Sequence, residues 1–366
     1  MSKNQILNTS IRSTPPQSQP RDFTKSLIIT KELDVAKSDG GPVWITKLED
    51  LKTFNATVPD KLSKAVASYL AGKPFAGGVY VYGKAEATHT ALLEAITSKA
   101  QKEFYSILVY DAETKAHYEE INEFLASAAN NARYVSFASN IAGHTAAQAK
   151  EMNSLVSERV CYFVEDVLNT ASQFGVGQLL ADRTTFFNNM TPSFGSVAMP
   201  TIKPLKWPET DIADAIGTFV DEATGINCFL PVERVVTALH GKTLGGQYWI
   251  DNVILEDMID ETVLFAGTNF IRNQITLNGA LINDQSGKES FLMAIDTALQ
   301  PFVDNRMIYG KGESYTNEET GRVEPAYVSD IKIVNNRVAQ VSVFCVVKGK
   351  IQGAEVGIKI THQLGN

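Results

Sequence analysis

Short apolar runs, each about one strand long, recur through the first two thirds of the chain and give way to helical periodicity in the last third. Ser26-Leu27-Ile28-Ile29-Thr30 and Val43-Trp44-Ile45 read as strands separated by the Gly40-Gly41-Pro42 break. Thr46 and Glu49 stand at capping-box spacing and predict a short helix with Leu48, Leu51 and Phe54 on one side. From Pro59, a second helix puts Leu62, Val66, Tyr69 and Leu70 on one stripe and stops near Gly72, before the alternating strand Gly78-Val79-Tyr80-Val81-Tyr82. Residues 23–90 therefore read as a small α/β unit. Ahead of them, residues 1–22 are rich in Ser, Thr, Gln, Asn and Pro, have little to bury, and read as an extended arm.

From Ser106 the runs Ile107–Tyr110, Tyr134–Phe137, Val160–Val164 and Thr185–Phe187 predict strands. The first two flank a helix carrying Tyr118, Ile121, Phe124, Leu125 and Ala128. That alternation implies a parallel sheet covered on both faces, a central α/β domain over residues 91–244. Pro192, Pro200, Pro204 and Pro208, with the polar stretch from Asp211 to Gly225, mark a boundary or peripheral loop within it.

The last third, residues 245–366, opens with Gly245-Gly246-Gln247-Tyr248-Trp249 and a long helix with Ile259, Val263, Ala266 and Phe270 on one face. Ser286 and Glu289 form a second capping-box spacing ahead of Phe291, Leu292, Ile295, Ala298, Leu299 and Phe302. Ile331–Val334, an Asn335-Asn336 turn, Val338–Val347 and Val356–His362 then read as strands. A helix pair followed by strands is an α+β layer.

Composition narrows the function. A chain of 366 residues, 44% hydrophobic and 20% charged, has the balance of a folded protein of two or three domains. A formal charge of −8 and the lack of any basic block argue against a nucleic-acid partner. No run of 18 apolar residues occurs, and Met1–Pro20 has no secretory pattern, so neither membrane insertion nor secretion is expected. Cys161, Cys228 and Cys345 sit in apolar runs and read as buried thiols.

The chemistry-bearing residues form no catalytic pattern. His89, His117, His144, His240 and His362 have no metal-ligand spacing and read as structural or surface histidines. Gly241-Lys242-Thr243 resembles the tail of a phosphate loop, but Val236 stands where its first glycine is needed. Gly175-Val176-Gly177 lacks the third glycine of a dinucleotide fingerprint, Leu180 standing there, and falls within a helix. The acidic cluster Glu256, Asp257, Asp260, Glu261 reads as the wet face of an amphipathic helix. No catalytic residue, cofactor or metal site is expected.

Two segments carry a resemblance. Pro42-Val43-Trp44-Ile45-Thr46-Lys47-Leu48-Glu49-Asp50-Leu51, then Phe54, an amphipathic helix and Gly77-Gly78-Val79-Tyr80-Val81-Tyr82, resemble the N-terminal pattern of contractile phage tail sheath proteins. Arg337–Val343 and Gly353–Ile360 resemble the end of those chains, a long strand, a link and a last strand. The resemblance implies an α/β and α+β multidomain protein, with a central α/β sheet domain, a C-terminal α+β domain of sheath type and extended terminal arms. It implies a structural subunit that polymerises around an inner tail tube and contracts to drive the tube through a cell envelope. Expected partners are other copies of the chain, the tube protein, and baseplate and tail terminator proteins, in a virion tail assembled in the bacterial cytoplasm. Ile11, Arg12 and Phe23 in the arm, and Val356, Ile358 and Ile360 in the last strand, are the expected inter-subunit residues. Lys288, Asp304 and Arg306 are the expected tube-facing ones. Another self-assembling tail component, such as a baseplate or tube-associated protein, is the alternative, and a small-molecule enzyme on the central sheet stands third.

Overall fold

The computed structural model describes residues 6–12, 21–72, 77–97, 103–127, 134–165, 174–184, 194–195, 197–199, 201–216, 218–221, 223–232, 235–278, 285–317, 320–334, 338–346 and 348. In chain order its elements begin with Ile6–Arg12 (β1), Ser26–Thr30 (β2), Val43–Ile45 (β3), Asp60–Leu70 (α1), Val79–Gly83 (β4), His89–Thr97 (α2), Ser106–Val109 (β5) and Lys115–Ala126 (α3). Val135–Ala138 (β6), Ala146–Glu151 (α4), Val160–Val164 (β7), Gly175–Thr184 (α5), Val197–Ala198 (β8), Glu209–Ala215 (α6), Ile226–Val232 (β9) and Val235–Ala238 (β10) follow. The C-terminal part holds Ile250–Asn278 (α7), Gln285–Asp304 (α8), Ser314–Thr316 (β11), Val323–Pro325 (β12), Tyr327–Val334 (β13) and Val338–Cys345 (β14).

The apolar runs become one nine-stranded sheet, ordered β3-β4-β2-β5-β6-β7-β9-β10-β8. Strands β4 through β9 in that order are mutually parallel, while β3 and β10 run antiparallel to them, and the edge strand β8, antiparallel to β10, returns to the direction of the parallel block. Every residue of β2, β5, β6 and β7 is buried, which explains their unbroken apolar runs: a strand covered on both faces has no wet side to alternate with. Ile28, Leu108, Phe137 and Phe163 enter the core shared with α1, α5 and α7. Leu27, Ile29, Val109 and Tyr162 enter the opposite core, shared with α2 and α3.

Strand β2 lies between β4 and β5, so the boundary expected at residue 90 runs through a continuous sheet, and segments 23–90 and 91–244 contribute to one layer. The region read as a boundary or peripheral loop supplies the edge strand β8 and helix α6. Strands β9 and β10 were not expected; Asn227 and Pro231 interrupt the apolar pattern of β9. The strand expected at Thr185–Phe187 and the turn Asn335-Asn336 lie outside the described residues.

The first capping box is shifted by one residue. Thr46 donates to Asp50 Oδ2 through both its backbone N–H and its hydroxyl, each at 3.0 Å, and the Lys47 amide donates to the same oxygen at 3.2 Å. Asp50, not Glu49, is therefore the cap, because the 3₁₀ turn begins at Leu48 and its third residue is Asp50. These donors, the Thr46 amide foremost, hold the Asp50 carboxyl below its ordinary range.

Helix α7, 29 residues and so about 44 Å long, carries the expected apolar face, with Ile259 and Val263 buried. Its acidic cluster is not uniformly wet. Asp257 is only 3% exposed, because α7 crosses the amino ends of the sheet strands, where Arg159 emerges to meet it.

Candidate assembly site

The two ends of the described chain meet in a second, antiparallel sheet ordered β1-β14-β13. The hairpin is in register from Tyr327↔Cys345 to Val334↔Val338. β1 adds to the other side of β14, from Ile6↔Phe344 to Arg12↔Val338. Alternation along β13 sets its inward face: Tyr327 and Ile331 are buried, Ser329 between them is half-buried, and Val328 points outward, 46% exposed.

Asp296 of α8 fixes this sheet to the helices. Its Oδ1 accepts from the Tyr327 hydroxyl at 2.7 Å and the Ser329 hydroxyl at 3.0 Å, and its Oδ2 pairs with the Lys311 ammonium at 2.9 Å. Burial, together with the adjacent carboxylate, pushes the Tyr327 phenol up, so it stays a donor. Backbone bonds from Tyr309 to Val346 (3.1 Å) and Lys348 to Met307 (2.8 Å) tie the end of β14 to the loop after α8, and one from Val346 to Ala326 (2.9 Å) ties it to the residue before β13. Phe291, Ile295, Leu299 and Phe302 form the inward stripe of α8. Its outer face leaves Glu289, Met293, Thr297, Gln300 and Asp304 exposed.

The root of the arm is seated on the seam between α7 and the large sheet. Phe23 packs on Tyr105 with ring centroids 4.5 Å apart, the Arg21 guanidinium lies 4.6 Å over the Tyr134 ring, and the Arg21 amide donates to Glu261 of α7 at 3.3 Å. Beneath it, Arg159 donates two bonds to Asp257, at 2.6 and 2.9 Å, and one to the Tyr134 carbonyl at 3.1 Å. The Tyr105 hydroxyl donates to Asp257 at 2.8 Å. Burial opposes the charge on Arg159, but the Asp257 bonds outweigh it and raise its pKa.

The opposite, carboxyl end of the sheet holds a separate polar cluster. His89 bonds Asp111 at 2.8 Å, Lys31 approaches the same carboxylate at 3.5 Å, and the His89 and His117 rings meet edge to face at 4.9 Å. Burial works to raise the Asp111 carboxyl, yet the His89 bond and the Lys31 charge hold it below its ordinary range. His144 bonds the Tyr162 hydroxyl at 2.8 Å and the Glu113 carbonyl at 3.1 Å. Among the described residues no group of three His, Cys, Asp or Glu side chains could hold a metal ion. Gly241-Lys242-Thr243 cradles a side chain of its own fold: Asn227 Oδ1 accepts from the Gly241 and Lys242 amides at 2.7 and 3.0 Å.

In the chain itself, Ile11 faces Ala339 and Arg12 faces Val338, so the segment expected on a neighbouring subunit lies here on its own β14. Phe23 belongs to the root, half-buried on Tyr105. Val356, Ile358 and Ile360 lie outside the described residues. Lys288, half-buried, is in the first turn of α8, while Asp304 and Arg306 are exposed at its other end, about 24 Å away along the axis. The structure does not bring these three together. Arg306 has φ 58°, the left-handed conformation of a turn, with its amide bonded to the Val303 carbonyl. Sequence reasoning missed Asp296 and the Arg159–Asp257 pair, since a charge whose partner is distant in sequence leaves no local signal.

No protein-family model matches this sequence, and no curated protein sequence does. Solved structures match almost end to end. A chain of the anti-feeding prophage helical sheath in its contracted state aligns at TM-score 0.63 and 14% identity, covering 99% of this chain and 99% of that one. The contractile tail sheath fold is the fold of this chain. A chain of the 6-fold symmetrised anti-feeding prophage baseplate aligns at TM-score 0.63 and 13% identity, covering 95% and 97%. The sheath tail protein of Listeria innocua aligns at 0.53 and 10%, covering 89% and 95%. At such identities the likeness is one of backbone, and the sheath fold here includes both the large sheet and the layer built from the chain ends.

Proposed function

We propose that this protein is a sheath subunit of a contractile tail: it polymerises around an inner tube and contracts to drive that tube through a cell envelope. The observation that carries the reading is the terminal sheet, in which an N-terminal strand is added to the edge of a C-terminal hairpin, within a fold matched over nearly all of a contracted sheath chain. Strand addition holds by backbone hydrogen bonds and needs no pocket, so a strand on a tether can link neighbouring bodies while those bodies turn. In this reading β1 joins β14 of an adjacent subunit, and Val356, Ile358 and Ile360 belong to a strand completed by a neighbouring chain. The exposed end of α8 and the turn after it, with Asp304 and Arg306, face the tube in this reading, as does Lys288 in the first turn of the helix. Exposed charge pairs contribute only about 0–1 kcal/mol each, which suits a grip that is released on contraction. Baseplate and tail terminator proteins would cap the ends of such a cylinder. Acting as a scaffold and not as an enzyme fits a polar cluster at the carboxyl end of the sheet whose members bond one another.

A second reading, a baseplate component, is favoured by one observation, the equal TM-score of 0.63 to the baseplate chain. Electron microscopy of the purified protein at rising concentration separates the two. A sheath gives hollow cylinders and a baseplate part gives small closed oligomers. A monomer or small symmetric oligomer at every concentration would overturn the sheath reading. Deleting residues 1–20 is expected to leave a folded subunit that forms no cylinders.

A further inference from the structure

We infer that the free subunit caps its own joint: β1 occupies in cis the β14 edge that, in the assembled cylinder, receives the β1 of a second copy. This deepens the connector reading above and rests on it. The observation is the register from Ile6↔Phe344 to Arg12↔Val338, made within one chain, with β1 also lying along α7. An antiparallel ladder is defined by backbone register, so the same pairs form whether the incoming strand belongs to the same chain or to an identical one. Exchange of an identical element between copies therefore conserves every bond it breaks.

What decides between the two arrangements is concentration. Residues 13–20 link β1 to the fixed root at Arg21 and span at most about 28 Å when extended. A tether this short gives the cis partner an effective concentration in the mM range. A single encounter between free subunits at micromolar concentration cannot compete, so two free subunits do not exchange arms. The cap also hides the β14 edge, which unpaired would invite indiscriminate strand addition. In a growing cylinder the acceptor subunit is already held close by body contacts, so the trans edge becomes a tethered partner too, and exchange proceeds. Cylinder growth then needs a template, or a subunit concentration that approaches the mM range of the tether, and isolated subunits at micromolar concentration stay dispersed.

Engineered cysteines report which chain β1 is on. Asn8 faces Ser342 in the register, and directly opposed residues lie about 4.5–5.5 Å apart, within the range that a disulfide bridges. The full chain with Asn8→Cys and Ser342→Cys is oxidised with diamide either as free subunit or after assembly into cylinders, then run on a denaturing gel. The parent chain, whose Cys161, Cys228 and Cys345 are buried, is the control. The expected result is an intrachain link, at monomer mobility, in free subunits and a ladder of interchain links in cylinders. A ladder from cylinders with no intrachain link in free subunits would overturn the cap while leaving the connector standing. Intrachain links in both preparations would overturn the connector, and the cap with it.

Discussion

Replacing Asp257 by Ala is expected to destabilise the subunit by about 3–5 kcal/mol, the usual result of removing one partner of a buried ion pair. The side chains of Arg159 and Asp257 are 19% and 2% exposed, so water cannot take the place of the lost carboxylate. Three donors lose their acceptor at once: two guanidinium N–H groups, at 2.6 and 2.9 Å, and the Tyr105 hydroxyl, at 2.8 Å. With an unfolding entropy of about 2.1 cal/mol/K per residue, a chain of this length loses about 4–6 °C in Tm. Denaturant titration and calorimetry of the free subunit measure the loss. The double variant Arg159→Met with Asp257→Leu is expected to recover most of it, because an apolar pair of similar volume avoids the desolvation of both charges. If Asp257→Ala costs under about 1 kcal/mol, or the double variant is as costly as the two single changes added together, the pair is not what closes the seam between α7 and the sheet.

Asn227→Leu is expected to cost at least about 3 kcal/mol in the same titration, since it strands the Gly241 and Lys242 amides and the carbonyls of Tyr162, Gly225 and Lys242 that its side chain now joins. Burial pushes the His144 imidazole below the ordinary histidine range; its Nε2–H donates to the Glu113 carbonyl and its Nδ1 accepts from Tyr162, so the fold has no place for a second proton. The unfolded chain takes that proton near pH 6.5 and the native chain does not, so stability should fall as pH drops from about 7 to 5, and His144→Gln should flatten the slope seen in urea midpoints. Lys288→Glu with Arg306→Glu should weaken co-assembly with tube protein, read by electron microscopy, and leave the circular dichroism of the free subunit unchanged; unaltered co-assembly would remove both residues from the tube face.

Much of the architecture was legible because its signals are local. The stripe Leu62, Val66, Tyr69 is α1, and Phe291, Ile295, Leu299, Phe302 is the inward face of α8. The unbroken runs at Ile107 and Val160 announce strands buried on both sides. What was not legible depends on pairing across the chain. The continuity of the large sheet follows from β2 pairing with both β4 and β5, strands 53 and 80 residues away by register (Leu27↔Tyr80, Leu27↔Ile107), which no window of sequence contains. Asp257 sits among Glu256, Asp260 and Glu261, and a helical wheel gives no reason to single it out. Its burial is set by Arg159, 98 residues earlier. The arm was legible as a segment with nothing to bury, but a strand held by main-chain bonds on another strand's edge has no composition that names its partner.

In the proposed sheath, the two kinds of bonding found at the arm root and in the terminal sheet would divide the mechanical task. The seam under the arm root is closed by side-chain chemistry: a bidentate ion pair, a tyrosine hydroxyl, the tilted packing of Phe23 on Tyr105, and the Arg21 guanidinium over the Tyr134 ring. Such contacts are specific in position and cannot be remade elsewhere, so they fit a body that must turn as one piece. The ladder of β1 on β14 consists of backbone bonds, which any copy of the same strand reproduces in the same register. A contracting cylinder needs both properties, since its bodies rotate past one another while its links persist. Arg21 is where they meet: its amide is bonded to α7 and its guanidinium lies over Tyr134 at the amino end of the sheet, so in the proposed sheath tension on the exchangeable strand would enter the body at this seam and not at β2.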